Sequence, residues 1–164
     1  MFRELRRKRQ ELPREECLEI LCRGSDGVLA VLGEGGYPYA VPLNYVYSGG
    51  KIFFHSARQG HKLDALRLCD KVSFCVVGQD RVVPEQYTTY FKSVIAFGRA
   101  RVLTDAEETR RAIEALALKY VPEDSEERRA AAIANDWDAL CMIELSIEHL
   151  SGKECIELTK QREK

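Results

Sequence analysis

Gly36-Tyr37-Pro38-Tyr39-Ala40-Val41-Pro42-Leu43-Asn44-Tyr45-Val46-Tyr47-Ser48-Gly49-Gly50 is the stretch that decides the fold. Its period is two, the period of a strand, where neighbouring side chains point to opposite faces. Tyr37, Tyr39, Val41, Leu43, Tyr45 and Tyr47 share one face, and Pro38, Ala40, Pro42, Asn44 and Val46 share the other. The second face is mostly small, so a flat group can lie close to its backbone. Pro38 and Pro42 donate no ladder hydrogen bond, which places the strand at a sheet edge or at an interrupted pairing.

Working outward, the same reading repeats. Gly33-Glu34-Gly35-Gly36 is a turn that joins this strand to an earlier one, Gly27-Val28-Leu29-Ala30-Val31-Leu32. Ser48-Gly49-Gly50 turns the chain into a third strand, Lys51 to His55. Val72 to Val77 and Ser93 to Leu103 are the fourth and fifth, separated by a polar, aromatic-bearing loop from Gln79 to Tyr90. The sixth, Leu140 to Leu150, alternates again. Strands joined by short glycine turns predict an antiparallel sheet, and six of them can curl into a barrel with helices outside.

The helices are expected at Pro13 to Gly24, at His61 to Leu68, after the capping-box spacing Thr104-Asp105-Ala106-Glu107, and at Pro122 to Asn135. The third would bury Ala112, Ile113, Leu116, Ala117 and Tyr120. A single domain over 1–158 is expected, followed by a polar tail over 159–164 that the composition leaves disordered.

Composition narrows the function classes. The chain has 164 residues, 45% apolar and 31% charged, with formal net charge -1. That is the balance of a globular protein, without the excess of positive charge that nucleic-acid binding calls for. The basic run Phe2-Arg3-Glu4-Leu5-Arg6-Arg7-Lys8-Arg9 has no apolar core, so it does not read as a signal peptide, and no stretch reaches membrane-spanning length. Neither nucleic acid nor membrane is expected as a partner. None of the six cysteines forms a C-x-x-C pair; no metal-ligand set is read, and reduced thiols in a cytoplasmic protein are expected. Cys75 and Cys141 fall in apolar strand runs and read as small hydrophobes.

One segment carries chemistry. Ile52-Phe53-Phe54-His55-Ser56-Ala57-Arg58-Gln59-Gly60-His61-Lys62-Leu63 runs from strand through loop into helix. Helix-start N–H groups bear partial positive charge. With the Lys62 ammonium and the Ser56 hydroxyl beside them they form a plausible phosphate site. Each residue also has a structural reading: a lysine near a helix start is commonly a surface residue. His149, on an apolar strand face, reads as a core or interface histidine. The tyrosines read as packing residues.

With these segments in order, the sequence resembles the FMN-binding split-barrel proteins related to pyridoxamine 5'-phosphate oxidase, and within them most closely the 5-nitroimidazole-resistance (Nim) group. The match rests on Gly27 to Ala30; Gly36 to Tyr45; Phe54-His55-Ser56-Ala57 with Gly60-His61-Lys62; Thr88-Thr89-Tyr90 with Ser93-Val94 and Phe97-Gly98; and Gly152-Lys153-Glu154. The resemblance implies a six-stranded antiparallel split β-barrel with flanking helices. It implies FMN as cofactor, with the backbone of Tyr39, Ala40, Val41, Pro42 and Leu43 along the ring. It assigns His55, Ser56, His61 and Lys62 to the phosphate and ribityl chain, and Thr89 and Ser93 to the ring's polar edge. It implies a homodimer that builds the pocket from both subunits, with Trp137 a candidate for lining it across the interface.

The implied activity is FMN-dependent oxidoreduction of a small molecule, nitro-aromatic or otherwise oxidised. His55 has two roles open, cofactor contact or proton donor, since an imidazole titrates near neutral pH. Oxidation of pyridoxamine phosphate itself needs a second phosphate site, and no second basic cluster stands out in the body of the chain. The rival class is a flavin- or haem-binding protein without turnover, a sensor or carrier, with His55, His61 or His149 as candidate axial ligands. Gly33-Glu34-Gly35-Gly36 lacks the dinucleotide-binding spacing, so no electron donor is indicated.

Overall fold

The computed structural model describes residues 2–163. One antiparallel sheet of seven strands forms the body: β1 (Asp26–Leu32), β2 (Pro38–Asn44), β3 (Val46–Ser48), β4 (Lys51–Ala57), β5 (Lys71–Val83), β6 (Thr88–Val102) and β7 (Leu140–Glu154). Their order across the sheet is β2-β1-β5-β6-β7-β4-β3. The expected count of six is therefore corrected to seven. The long alternating run breaks at Tyr45, which leaves the ladder and splits the run into β2 and β3. The sheet curls as expected of a split barrel without forming a closed one. β2 and β3 stand at the two ends of the sheet and pair with β1 and β4, not with each other, so the curled sheet does not close.

Alternation explains the core. Inward-facing Leu29, Val31, Phe54, Phe74, Val76, Val94, Ala96, Ile143 and Leu145 pack together, with Phe74 edge-on to both Tyr45 and Phe54 at 4.9 Å between centroids. Tyr45 is buried whole, and its hydroxyl donates to the Leu21 carbonyl at 2.8 Å, as a buried phenol requires. Helix α1 (Arg14–Arg23) and helix α2 (His61–Leu68) contribute Cys17, Leu21, Leu63 and Leu66 to this core.

Helix α3 (Ala106–Tyr120) covers the outer face of β3, β4 and β7, where Ala112 and Leu116 meet Val46 and Met142. Its N-cap is Asp105, one residue beyond the position the capping-box spacing suggested: the Asp105 carboxylate accepts from the Glu108 N–H at 2.8 Å. Helix α4 (Glu126–Asp136) follows, capped by Ser125.

Two segments read from sequence as irregular are ordered here. The Gln79 to Tyr90 loop is the end of a long β5–β6 hairpin, turned at Pro84–Gln86 and Tyr87. The tail contains helix α5 (Ile156–Arg162), with Thr159 fully buried. β6 and β7 meet through a bulge between Phe97 and Gly98. A Cβ on Gly98 would fall 1.9 Å from the Ser146 carbonyl oxygen, so only glycine fits there. Among the described residues no helix is long and apolar enough to cross a membrane.

Candidate functional site

The opening in the sheet lies between β2 and the second half of β4. β2 pairs with β1 on one side only. β3 reaches along β4 only from Lys51 to Phe53, so Phe54 to Ala57 have β7 on one side and no paired strand on the other. Two backbone edges thus face a split.

The chemistry of the β2 edge follows from its register. The Gly33 N–H donates to the Tyr37 carbonyl at 2.8 Å, so Gly33 and Tyr37 are a hydrogen-bonded pair. Antiparallel pairs alternate between bonded and non-bonded. Val31–Tyr39 and Leu29–Val41 then exchange ladder bonds, while Pro38, Ala40 and Pro42 sit in non-bonded pairs and turn their backbone groups outward. The prolines occupy positions where a ladder donor is not needed, as their sequence position suggested. Between Pro38 and Pro42 the free edge offers three carbonyls and one N–H, that of Ala40. The side chains of Pro38, Ala40 and Pro42 are exposed, whereas those of Tyr39, Val41 and Leu43 pack on the core.

The other wall is the β4–α2 loop. Gly60 has φ +131, a backbone conformation that L side chains rarely adopt, and it turns the chain abruptly into α2. No side chain caps this helix, so the His61 and Lys62 N–H groups at its start have no intrahelical partner. His61 reaches back across the split and stacks on Tyr39. His55 is exposed on the outer face of β4. Ser56 points inward and is buried; its hydroxyl lies against the Cys141 thiol and makes no hydrogen bond to nitrogen or oxygen among the described residues. An unpaired buried hydroxyl is costly, so this one waits for an acceptor.

Positive charge gathers at the same corner. Lys62 and Arg58 lie near Cys141, the residue opposite Ser56 on β7. Burial pushes the Cys141 thiol up, and the two cations act against that shift. Nearby Lys51, Arg67 and Arg101 are paired with acids. Arg58 and Lys62 form no ion pair among the described residues. Arg58 was not singled out from sequence; its place one turn before α2, beside Ser56, was the available signal.

The remaining predicted residues stand elsewhere. Ser93 pairs with Lys153, the last residue but one of β7, whereas Ser56 pairs with Cys141, the second. Thr89 and Ser93 are therefore at the far end of the sheet from the Ser56 corner, half-buried on its outer face. A single chain places Tyr39 through Leu43, Ser56, His61 and Lys62 around the split, with His55 on the opposite face of β4, and leaves Thr89 and Ser93 away from it. Trp137, at the end of α4, is half-buried beside Arg58, whose guanidinium donates to its carbonyl at 3.2 Å. His149 lies on the outer face against Phe2, stacked at 4.7 Å. Among the described residues no cluster of His, Cys, Asp and Glu is placed to hold a metal ion.

The sequence model of the pyridoxamine 5'-phosphate oxidase family matches residues 13–154. The chain belongs to this family. A search of curated proteins finds no match. Among solved structures, a candidate 5-nitroimidazole antibiotic resistance protein from Bacteroides thetaiotaomicron superposes with a TM-score of 0.75 at 18% identity, covering 88% of this chain and 86% of that one. A FAD-binding protein from Mesorhizobium loti is 26% identical, with TM-score 0.63 and coverage of 88% and 96%. A FAD- and haem-binding protein from Mycobacterium smegmatis gives TM-score 0.69 at 18% identity, covering 90% and 74%. The first and third likenesses are of fold alone.

Proposed function

We propose that this member of the pyridoxamine 5'-phosphate oxidase family binds a flavin, FMN, across the split and serves as an oxidoreductase for small oxidised organic molecules, nitro-aromatic compounds among them. The observation that carries the reading is the buried Ser56 hydroxyl, faced only by the weakly bonding Cys141 thiol, near the uncapped start of α2 and the Lys62 ammonium, which forms no ion pair among the described residues. A dianionic phosphate satisfies all three at once: it accepts from the hydroxyl, from the helix-start N–H groups and from the ammonium. The residues present therefore fit the group.

When bound, the flavin supplies the electron transfer. The chain supplies position. Lys62, Ser56 and the His61 and Lys62 N–H groups hold the phosphate. The β2 edge meets the ring with the Ala40 N–H as donor and the carbonyls of Pro38, Ala40 and Pro42 as acceptors; its small exposed side chains let a planar group lie close. His55, exposed on the outer face of β4, serves as a cofactor contact or as a proton donor to substrate. The FAD-binding protein from Mesorhizobium loti, at 26% identity, supports a flavin in this fold.

The same proposal includes a homodimer. Thr89 and Ser93 reach a flavin only if a second copy presents them. The outer sheet face that carries Ser93 also exposes Val28 and Val77, at 39% and 61%, which supports burial of that face against a partner. A second reading, haem as cofactor without turnover, draws support from the FAD- and haem-binding protein from Mycobacterium smegmatis.

The absorption spectrum of the purified protein tests the cofactor: flavin bands near ~450 nm against an intense haem band near ~400 nm, positions set by the cofactor's own electronics. Mass spectrometry of the released cofactor separates FMN from FAD. Anaerobic reoxidation of the reduced, flavin-loaded protein by a nitroimidazole tests the activity. No reoxidation by any nitro compound overturns the nitroreductase part, and no flavin uptake overturns the whole.

A further inference from the structure

A cleft of about 610 Å³ runs under α2, between it and the ends of β6 and β7, and reaches Cys141, the β7 residue opposite Ser56. Its walls are apolar, from Leu63, Leu66, Leu103 and Leu140, with the Trp137 indole and the Arg58 guanidinium at the rim. The volume is that of a site for a small organic molecule. Leu63, Leu66 and Leu103 are buried, so the floor is a fixed part of the core.

The charge at this cleft is specific. Three guanidinium groups border it. Arg67 is bound to Asp64 at 2.6 Å. Arg101 is bound to Glu144 at 3.0 Å and to Glu108 at 3.1 Å. Arg58 alone has no carboxylate among the described residues; its one protein partner is the Trp137 carbonyl at 3.2 Å. That bond uses one of the five N–H groups a guanidinium carries and leaves the rest of its fork available. Lys62, also without an ion pair among the described residues, lies near the Cys141 end of the cleft, and Arg58 supplies the one free guanidinium fork at the rim. Trp137 is braced by Arg110, whose guanidinium lies 4.9 Å from the ring centre, so the indole is a preset wall.

We infer that this cleft binds a flat aromatic carboxylate, with the carboxylate on the Arg58 fork, the ring beside Trp137 and the leucine floor below. An arginine fork fits a carboxylate through two parallel N–H bonds, and an indole with an aliphatic floor suits an arene. The cleft adjoins the proposed flavin-phosphate corner at Cys141, and the Arg58 fork, turned toward Trp137, is not among the groups proposed to hold that phosphate. Cys141 lines the cleft, and its thiol is a built-in reporter of occupancy.

The test is calorimetric titration of the whole protein with 2-naphthoate and with its neutral analogue 2-naphthamide. Saturable binding of the naphthoate is expected, with affinity at least about tenfold weaker for the amide and for Arg58→Met, the loss of one charge-assisted fork. Arg58 is exposed, so the variant folds; a matching thermal melt checks this. Trp137→Leu weakens binding while leaving the preference for the acid over the amide intact. Naphthoate slows alkylation of Cys141, read by peptide mass spectrometry. Equal affinity for acid and amide, undiminished binding by Arg58→Met, an unprotected Cys141, displacement by inorganic phosphate at equal concentration, or competition with FMN would each overturn the assignment.

Discussion

His61 lies against Tyr39, with ring centroids 4.1 Å apart and planes 25° from parallel. The pair joins the first residue of α2 to the edge strand β2 across the one opening in the sheet. It is a latch between two elements that share no ladder. Removing the imidazole with His61→Ala forfeits a stack worth about 0.5–1.5 kcal/mol. A fall in melting temperature of roughly 2–4 °C is expected for a domain of this size. Unchanged melting in both His61→Ala and Tyr39→Ala would show that the contact holds nothing.

Lys62→Ala and Ser56→Ala separate the two kinds of phosphate contact. Loss of the ammonium should weaken FMN binding strongly and make what remains less sensitive to salt, because the charge is what salt screens. Loss of the hydroxyl should weaken binding by about tenfold or less and leave the salt dependence in place. It should also stabilise the flavin-free protein slightly, since an unsatisfied buried group is removed. Flavin fluorescence titrations at two ionic strengths give the answer, and retention of FMN by Lys62→Ala at wild-type affinity rejects the assignment.

Glu144 predicts a pH dependence. Burial would push its carboxyl up, but Arg101 at 3.0 Å and Lys51 at 2.9 Å more than offset that and hold it below the usual carboxylate range. A carboxylate lowered on folding adds stability above its unfolded pKa, near ~4.3 for glutamate, and loses it as pH falls through the folded value. Because both cations are close to half-exposed, Glu144→Gln is expected to cost only about 1 kcal/mol at neutral pH. The gap from wild type should narrow once pH falls below the unfolded glutamate value and vanish only below the lowered folded one. Urea titrations across pH that show a constant gap would contradict this.

The cysteines should divide sharply. Cys17 is buried, and burial, aided by Glu16 and Glu11, pushes its thiol up to about 11. Cys22, on the same helix, is exposed. Iodoacetamide at pH 8 should therefore mark Cys22 in the native protein and reach Cys17 only in denaturant, because the thiolate is the reactive form. Native labelling of Cys17 would mean that α1 opens readily.

Much of the fold was legible because strand alternation and glycine turns are local signals. Tyr39 to Leu43 announced both its two faces and its place at an edge. Tyr45 did not announce that it leaves the ladder; its side chain is drawn into the core by Phe74 and the Leu21 carbonyl, contacts distant in sequence. The Gln79 to Tyr90 segment read as a loop because its polar strand ends project from the core and show no apolar period. At the site, Ser56, His61 and Lys62 could be read together because they are neighbours in the chain. Arg58, Trp137 and Cys141 could not be read as one cluster, since β7 and the end of α4 meet the loop only after folding.

The two prolines of β2 also bear on the life of the protein in a crowded solution. An unpaired strand edge is a template on which a foreign strand can zip, and such edges seed aggregation. Between Pro38 and Pro42 the exposed edge presents carbonyls at Pro38, Ala40 and Pro42 but a hydrogen at Ala40 alone. An incoming polypeptide needs donors and acceptors in alternation and finds most of the donors missing. The split can thus stand open to a small planar guest while refusing to grow by an eighth strand.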